Sequence, residues 1–280
     1  MSILGRLLSD LRRERKPVRA AAAAPPDPRE VYPEIDAHAR APIDLHTQIL
    51  FRDVQIGQRS FEDIMQEAIG ATSLHIPPLK AIRRREATLN LIRYFRHARA
   101  LPGRWAECGV FAGTTSLALC LAARAEQPGF DGSGMHLVDS FEGLSELGAA
   151  DLRATQAADG SVALVQPPRN QTNFAAPFEL ARDAMGGFPG VSLHKGWIPD
   201  VLAELPEAAW SFVHVDVDLY QPTLDCLKYF FPRLVQGGVI VCDDYGSPAF
   251  PGARRAWAEF CGGSLGYVAL PTGQSVLVKP

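Results

Sequence analysis

The chain has 280 residues, 47% of them hydrophobic and 21% charged, an ordinary balance for a globular protein with a sizeable core. Its net charge of −3 gives no nucleic-acid footprint, and no run reaches the ~18 apolar residues of a membrane span. The five cysteines, Cys108, Cys120, Cys226, Cys242 and Cys261, form no CxxC pair, which argues for reduced thiols and a cytoplasmic setting.

Residues 1–19 stand apart. Ile3, Leu4, Leu7, Leu8 and Leu11 recur at helical spacing among six basic residues, Arg6, Arg12, Arg13, Arg15, Lys16 and Arg19. This is either a basic amphipathic helix for an anionic membrane periphery or a protein partner, or a solvated tail. An Ala/Pro-rich linker, residues 20–28, completes a segment of residues 1–29. Residues 30–103 form a helical cap. Ser60 followed by Asp63 starts one helix, and a second runs from about Leu79 to Arg99, its Arg83–Arg85 cluster read as a solvated face.

From residue 104 strands and helices alternate through residue 280. Strand 105–110 leads through a glycine-punctuated turn into helix 114–126, and strand 135–141 follows. Residues 142–190 are a long insertion with helical patches near 147–158 and 174–185, of the length expected of a lid. Strand 191–196, helix 199–205, strand 210–219, helix 221–235 and a Gly-Gly turn lead to strand 238–245. Helix 252–261 and a hairpin of strands 266–271 and 275–280 close the chain. Such alternation predicts an α/β fold, a mainly parallel sheet with helices on both faces and one antiparallel strand near the C-terminus.

Three constellations carry chemistry. In ECGVFAGTTS, Gly109 and Gly113 let a ligand approach the backbone, but neither the dinucleotide fingerprint nor a P-loop is present. Glu107 disfavours phosphate and suits a cationic amino group, while Thr115 and Ser116 at a helix start can bind a carboxylate. A tight turn that binds nothing is the plainer alternative. Asp139, at the end of the next strand, is placed for a ribose diol. The acids of FVHVDVDLY and VCDDY, above all Asp216, Asp243 and Asp244, end two strands joined by a crossover helix, so they share one edge of the sheet. In an extended strand His214, Asp216 and Asp218 lie on one face. So many carboxylates need a cation, and a hard ion such as Mg2+ suits them best. The rival reading has them capping helices and pairing with Arg254 or Arg255.

The segments ECGVFAGTTS, LVDSFEGL, HKGWIPDVL and FVHVDVDLYQPTLDCLKYFFPRLVQGGVIVCDDYGSPAFPGARRAWAEF together resemble the macrocin O-methyltransferase family over roughly residues 72–262. The resemblance implies a Rossmann-like class I methyltransferase fold with a seven-stranded sheet, S-adenosyl-L-methionine as donor and Mg2+ held by Asp216, Asp243 and Asp244. It makes Asp216 the candidate base as well. It lines the donor with Glu107, Gly109, Thr115, Asp139 and Ser140, and puts Trp197 near the adenine. The chain departs from the family pattern before residue 30 and within 142–190, where family substrate contacts arise. A sugar or polyol hydroxyl in a vicinal diol is preferred over a catechol-type phenol, because the insertion offers few aromatics, Phe174, Phe178 and Phe188. A non-catalytic S-adenosylmethionine-binding scaffold is the reading from another class, and assembly as a homo-oligomer stays open.

Overall fold

The computed structural model describes residues 51, 53–73, 78–156, 161–165 and 174–280. The basic segment and linker expected over residues 1–29, and the start of the cap, lie outside them. A short hairpin, β1 (Gln55–Ile56) and β2 (Arg59–Ser60), leads into α1 (Phe61–Thr72) and α2 (Pro78–Ala98). Then come β3 (Arg104–Cys108), α3 (Thr114–Glu126) and β4 (Met135–Asp139), followed by the hairpin β5 (Arg153–Gln156) and β6 (Val162–Val165). The rest is α4 (Phe178–Ala184), β7 (Ser192–Lys195), β8 (Trp210–Val215), α5 (Tyr220–Arg233), β9 (Leu234–Cys242), α6 (Gly252–Cys261), β10 (Tyr267–Ala269) and β11 (Ser275–Val278).

The main sheet has the order β10-β11-β9-β8-β3-β4-β7. Strands β7, β4, β3, β8 and β9 are parallel, and β11 pairs antiparallel with both β9 and β10. Parallel neighbours require crossovers, and the amphipathic helices that supply them cover both faces. On one face Phe61, Ile64 and Met65 of α1 and Leu91, Ile92 and Phe95 of α2 share a core with α3. The Phe95 ring meets Trp105 edge-on at 5.2 Å and Phe212 at 5.2 Å. On the other face Leu227 and Phe230 of α5 and Trp257 of α6 pack with Val213, Ile240 and Trp210. Trp210 and Phe212 are two residues apart and would share a face in a regular strand. The register break between them sends each to its own core.

Four local expectations change. Within the patch expected to be helical over 147–158, the described residues 147–156 hold a 3-10 turn, Ala149–Asp151, and then the first strand of the β5–β6 hairpin. Residues 200–204 form a 3-10 rather than an α-helix. The Gly237-Gly238 pair lies inside β9, which begins as α5 ends at Arg233; Gly237 takes φ +75°, where the strand is irregular against β8. The Arg83–Arg85 cluster of α2 is only in part a solvated face, since Arg83 is exposed while Arg84 is half-buried and Arg85 buried. Arg85 is buried in a two-pronged pair with Glu62 at 2.9 and 2.8 Å, and Arg83 Nε donates to the Thr272 carbonyl at 2.7 Å.

Candidate active site

The site forms where β4, β3, β8 and β9 end side by side. The ladder continues one residue past each strand. Gly109 N–H donates to Val138 O at 2.9 Å, Asp216 N–H to Cys108 O at 2.8 Å and Asp243 N–H to Val215 O at 2.9 Å. Acids 27 residues apart in sequence therefore become neighbours across the sheet edge. One carboxylate oxygen from each of Asp216, Asp243 and Asp244 lies within 4.8 Å of the others. Gly109, at φ +91°, is required here for a backbone reason: a Cβ would sit 1.8 Å from the Asp216 carbonyl oxygen.

The chain bends sharply along this edge. Phe111, Phe141 and Asp218, in the loops after β3, β4 and β8, all hold left-handed φ values of +52°, +61° and +58°. Non-glycine residues accept that conformation only when their surroundings enforce it. At Asp218 the enforcement is visible, because its N–H donates to Asp244 Oδ2 at 2.9 Å. That turn takes Asp218 out of the period-two alternation expected of it, which ends with the strand at Val215. Behind it, the buried Asp151 accepts from the Tyr220 N–H at 2.7 Å and the Gly148 N–H at 2.9 Å, pinning the insertion to the first turn of α5.

The turn after β3 is organised by Asp139. Its Oδ2 accepts from the Val110 and Phe111 N–H groups at 2.6 and 2.8 Å, and its Oδ1 from Phe141 N–H at 2.6 Å. The carboxylate at the end of β4 thus fixes the loop that a donor would lie on. Ser140 donates to Gly143 O at 3.2 Å and accepts from Glu142 N–H at 3.1 Å. Gly113 starts α3 at φ +87°, and Thr115 lies half-buried in the first turn beside it. Ser116 is fully buried and its hydroxyl donates to Glu107 Oε2, so it serves the protein interior. Glu107 is itself 1% exposed. Trp197, just beyond β7, is 39% exposed.

Electrostatics at this edge follow from burial and crowding. Burial, then the Asp243 charge, pushes the Asp216 carboxyl up to about 7. Burial likewise drives Asp218 and Asp244 well above the usual carboxylate range, each reinforced by its neighbours. Asp243 goes the other way. Burial raises it, but the neighbouring His214 ring, the Arg84 charge and a hydrogen bond from Gln274 outweigh that and hold it at about 2. For His214 burial opposes charge, yet the adjacent Asp243 carboxylate and a hydrogen bond to Glu107 lift it to about 10. Arg84 of α2 is near enough to lower Asp216, Asp218 and Asp243. The expected rivals for these acids are occupied elsewhere: Arg254 lies over the Tyr245 ring at 5.3 Å, and Arg255 donates to the Ala150 and Leu152 carbonyls.

A divalent ion fits this arrangement. The ligands are all hard oxygens, and their 4.8 Å spread is close to the ~4 Å that opposite ligands of Mg2+ span. The hydrogen bonds from side chains to Asp243, among the described residues, fall on Oδ1, from Gln274 Nε2 at 2.9 Å. Its other oxygen is therefore not engaged by that network.

Comparison with known proteins gives the family and the fold. The family model described as Macrocin-O-methyltransferase (TylF) matches residues 82–263, more than half of the chain. The chain belongs to the macrocin O-methyltransferase family. Among curated members, 8-demethyl-8-(2,3-dimethoxy-alpha-L-rhamnosyl)-tetracenomycin-C 4'-O-methyltransferase of Streptomyces olivaceus is 31% identical over 152 residues, 53% of this chain and 55% of that one. Mycinamicin III 3''-O-methyltransferase of Micromonospora griseorubida is 27% identical over 171 residues, 57% of this chain and 61% of that one. The chain thus spans about half the length of the curated relatives it matches. Among solved structures, the O-methyltransferase NovP superposes with a TM-score of 0.56 at 20% identity, over 76% of this chain and 88% of that one. The calicheamicin methyltransferase CalS11 gives 0.57 at 21%, over 78% and 91%. These likenesses show the class I O-methyltransferase fold.

Several residues of the site escape a reading for family motifs. Gln274 is wholly buried in the β10–β11 turn, where TGQS looks like ordinary turn chemistry. It joins Asp243 to the Ala87 carbonyl of α2 at 3.2 Å, and its Oε1 accepts from Thr272 at 2.9 Å. Arg84 was hidden inside a run of three arginines. Asp151 gave no local signal either, because the helix N–H it accepts from, that of Tyr220, lies 69 residues further along the chain.

Proposed function

We propose that the chain is an S-adenosyl-L-methionine- and Mg2+-dependent O-methyltransferase that acts on a hydroxyl of a vicinal diol in a sugar-containing acceptor. The observation that carries this is the meeting of Asp216, Asp243 and Asp244 within 4.8 Å, one strand away from the Glu107–Gly113 turn. Family membership supports the methyl-transfer chemistry, and the names of the curated relatives support a sugar: one is named for the 4' oxygen of a substrate bearing a rhamnosyl group.

In this reading Asp216, Asp243 and Asp244 hold the ion. When bound, Mg2+ supplies Lewis acidity toward the acceptor hydroxyls, and S-adenosylmethionine supplies the methyl group. The chain's own residues do the rest. The turn from Gly109 to Gly113, held by Asp139, orients the donor, with Glu107 beneath it as the counter-charge for its amino group and Thr115 at the α3 N-terminus for its carboxylate. Asp139 and Ser140 stand at the ribose end, and Trp197 offers an exposed ring for the adenine. Asp216 takes the proton from the acceptor hydroxyl on a carboxylate oxygen as the oxygen attacks. Fixed placement of donor and acceptor supplies much of the acceleration. A polyol is favoured over an aromatic acceptor because the insertion's aromatics are engaged in packing. Phe178 lies against Phe141, Phe174 against Phe250, and Phe188 is buried against Phe130.

The test is transfer of a radiolabelled methyl group to a panel of rhamnosides and other glycosides with vicinal diols, with Mg2+ or with EDTA. Incorporation should need Mg2+ and fall at least ~100-fold in Asp216→Asn. Incorporation that survives both EDTA and that substitution contradicts the assignment.

A further inference from the structure

Glu107 and Asp243 stand on different strands and serve different halves of the proposed site, yet one buried ring faces both. His214 lies on β8, between β3 and β9, directly beside Glu107 in the register. The side chains of His214 and Glu107 are each 1% exposed. Nδ1 of His214 is 2.9 Å from Glu107 Oε1 and donates to it. Nε2 is buried without a hydrogen-bond partner among the described residues, and Asp243 Oδ1 is 3.8 Å away from it. Each carboxylate also has a second holder that serves it alone, Ser116 for Glu107 and Gln274 for Asp243. His214 is the group the two halves share.

We propose that His214 is a positioning residue that sets the donor half and the metal half together, its Nδ1 orienting Glu107 for the donor's amino group and its Nε2 orienting Asp243 for the ion. This rests on the donor-and-metal reading above. Carboxylates that ligate metals depend on such outer partners, and losing one costs roughly 10–100-fold in affinity. The ring's two nitrogens lie on opposite sides, so they can be removed separately. Asparagine places its amide nitrogen near the position of Nδ1, and glutamine near that of Nε2.

The experiment is calorimetry on the full chain with two probes, S-adenosylhomocysteine in EDTA and Mn2+ without donor. His214→Asn should bind S-adenosylhomocysteine within about two-fold of wild type and Mn2+ about 10-fold more weakly; His214→Gln should show the reverse. Ser116→Ala should weaken the first probe alone and Gln274→Ala the second alone. Both His214 variants losing the same single affinity, or neither losing any, overturns the proposal. A wild-type chain that binds neither probe overturns the donor-and-metal reading itself, and this inference with it. Ring-15N spectra of the wild type give a check that needs no folded variant. Each probe alone should shift the His214 ring signals, and a ring unmoved by either one rejects the shared role.

Discussion

Asp216, Asp218 and Asp244 share a problem that the residues around them do not solve: burial and mutual repulsion raise all three. An acid whose folded value lies above its unfolded value contributes stability that is full below the unfolded value and is lost as pH rises through the folded one. For Asp216 that window runs from about 3.8 to about 7. His214, at about 10 against 6.5, adds a loss in the same direction above pH 6.5. An ion on the ionised carboxylates removes the repulsion but competes with protons for the same oxygens. The melting temperature gained on adding Mg2+ should therefore grow between pH 5 and pH 8, as scanning calorimetry at fixed ionic strength would record. A gain that is flat or falls over that range contradicts the cluster's assignment. Gln274 gives a second prediction at this scale. Gln274→Ala leaves Asp243 without its 2.9 Å donor and breaks the buried amide's bond to the Ala87 carbonyl of α2. Denaturant titration should show a loss of about 1–3 kcal/mol. Unchanged stability means the buried amide does not tie α2 to the edge. The acids themselves were legible in the sequence, because carboxylates at the ends of two strands joined by one crossover must meet. Gln274 and Arg84 were not, because their significance comes from contacts 31 residues away or more, which no local pattern encodes.

The elements position these residues through a few backbone contacts that admit no substitute. Gly109 is the clearest, its α-carbon pressed against the Asp216 carbonyl in a left-handed conformation. Gly109→Ala adds strain and overlap together, and should cost at least about 3 kcal/mol or leave the protein insoluble. A soluble variant with an unchanged melting temperature shows that β3 and β8 do not end in the contact described here. Sequence reading found this glycine but gave it a ligand to accommodate; its first role is to let two strand ends touch. The alternation of β3, α3, β4, β8, α5 and β9 was equally legible, since strong apolar runs and crossover helices follow directly from residue patterns. The β5–β6 hairpin was not. Short strands of mixed polarity in a long insertion carry little periodicity, and their pairing, Arg153–Gln156 with Val162–Val165, is a contact no local pattern encodes.

At the scale of the whole fold, a mainly parallel sheet with two cores gathers every proposed functional group at one end of its parallel strands. Helices α1 and α2 are part of that plan. Their apolar faces complete one core with α3, while Arg83, Arg84 and Asn90 of α2 reach the acid edge and the β10–β11 turn. A cap read from the sequence as a covering layer is thereby tied to the acid edge through Gln274. No helix among the described residues is long and apolar enough to cross a membrane. The central claim is that three aspartates from two strand ends hold one divalent ion beside the donor turn. Calorimetric titration of Mn2+ into the full chain saturated with S-adenosylhomocysteine tests it most directly. The account predicts one ion per chain, with binding abolished in the triple variant Asp216→Asn, Asp243→Asn, Asp244→Asn and S-adenosylhomocysteine still bound. Wild-type stoichiometry retained by that variant would contradict it.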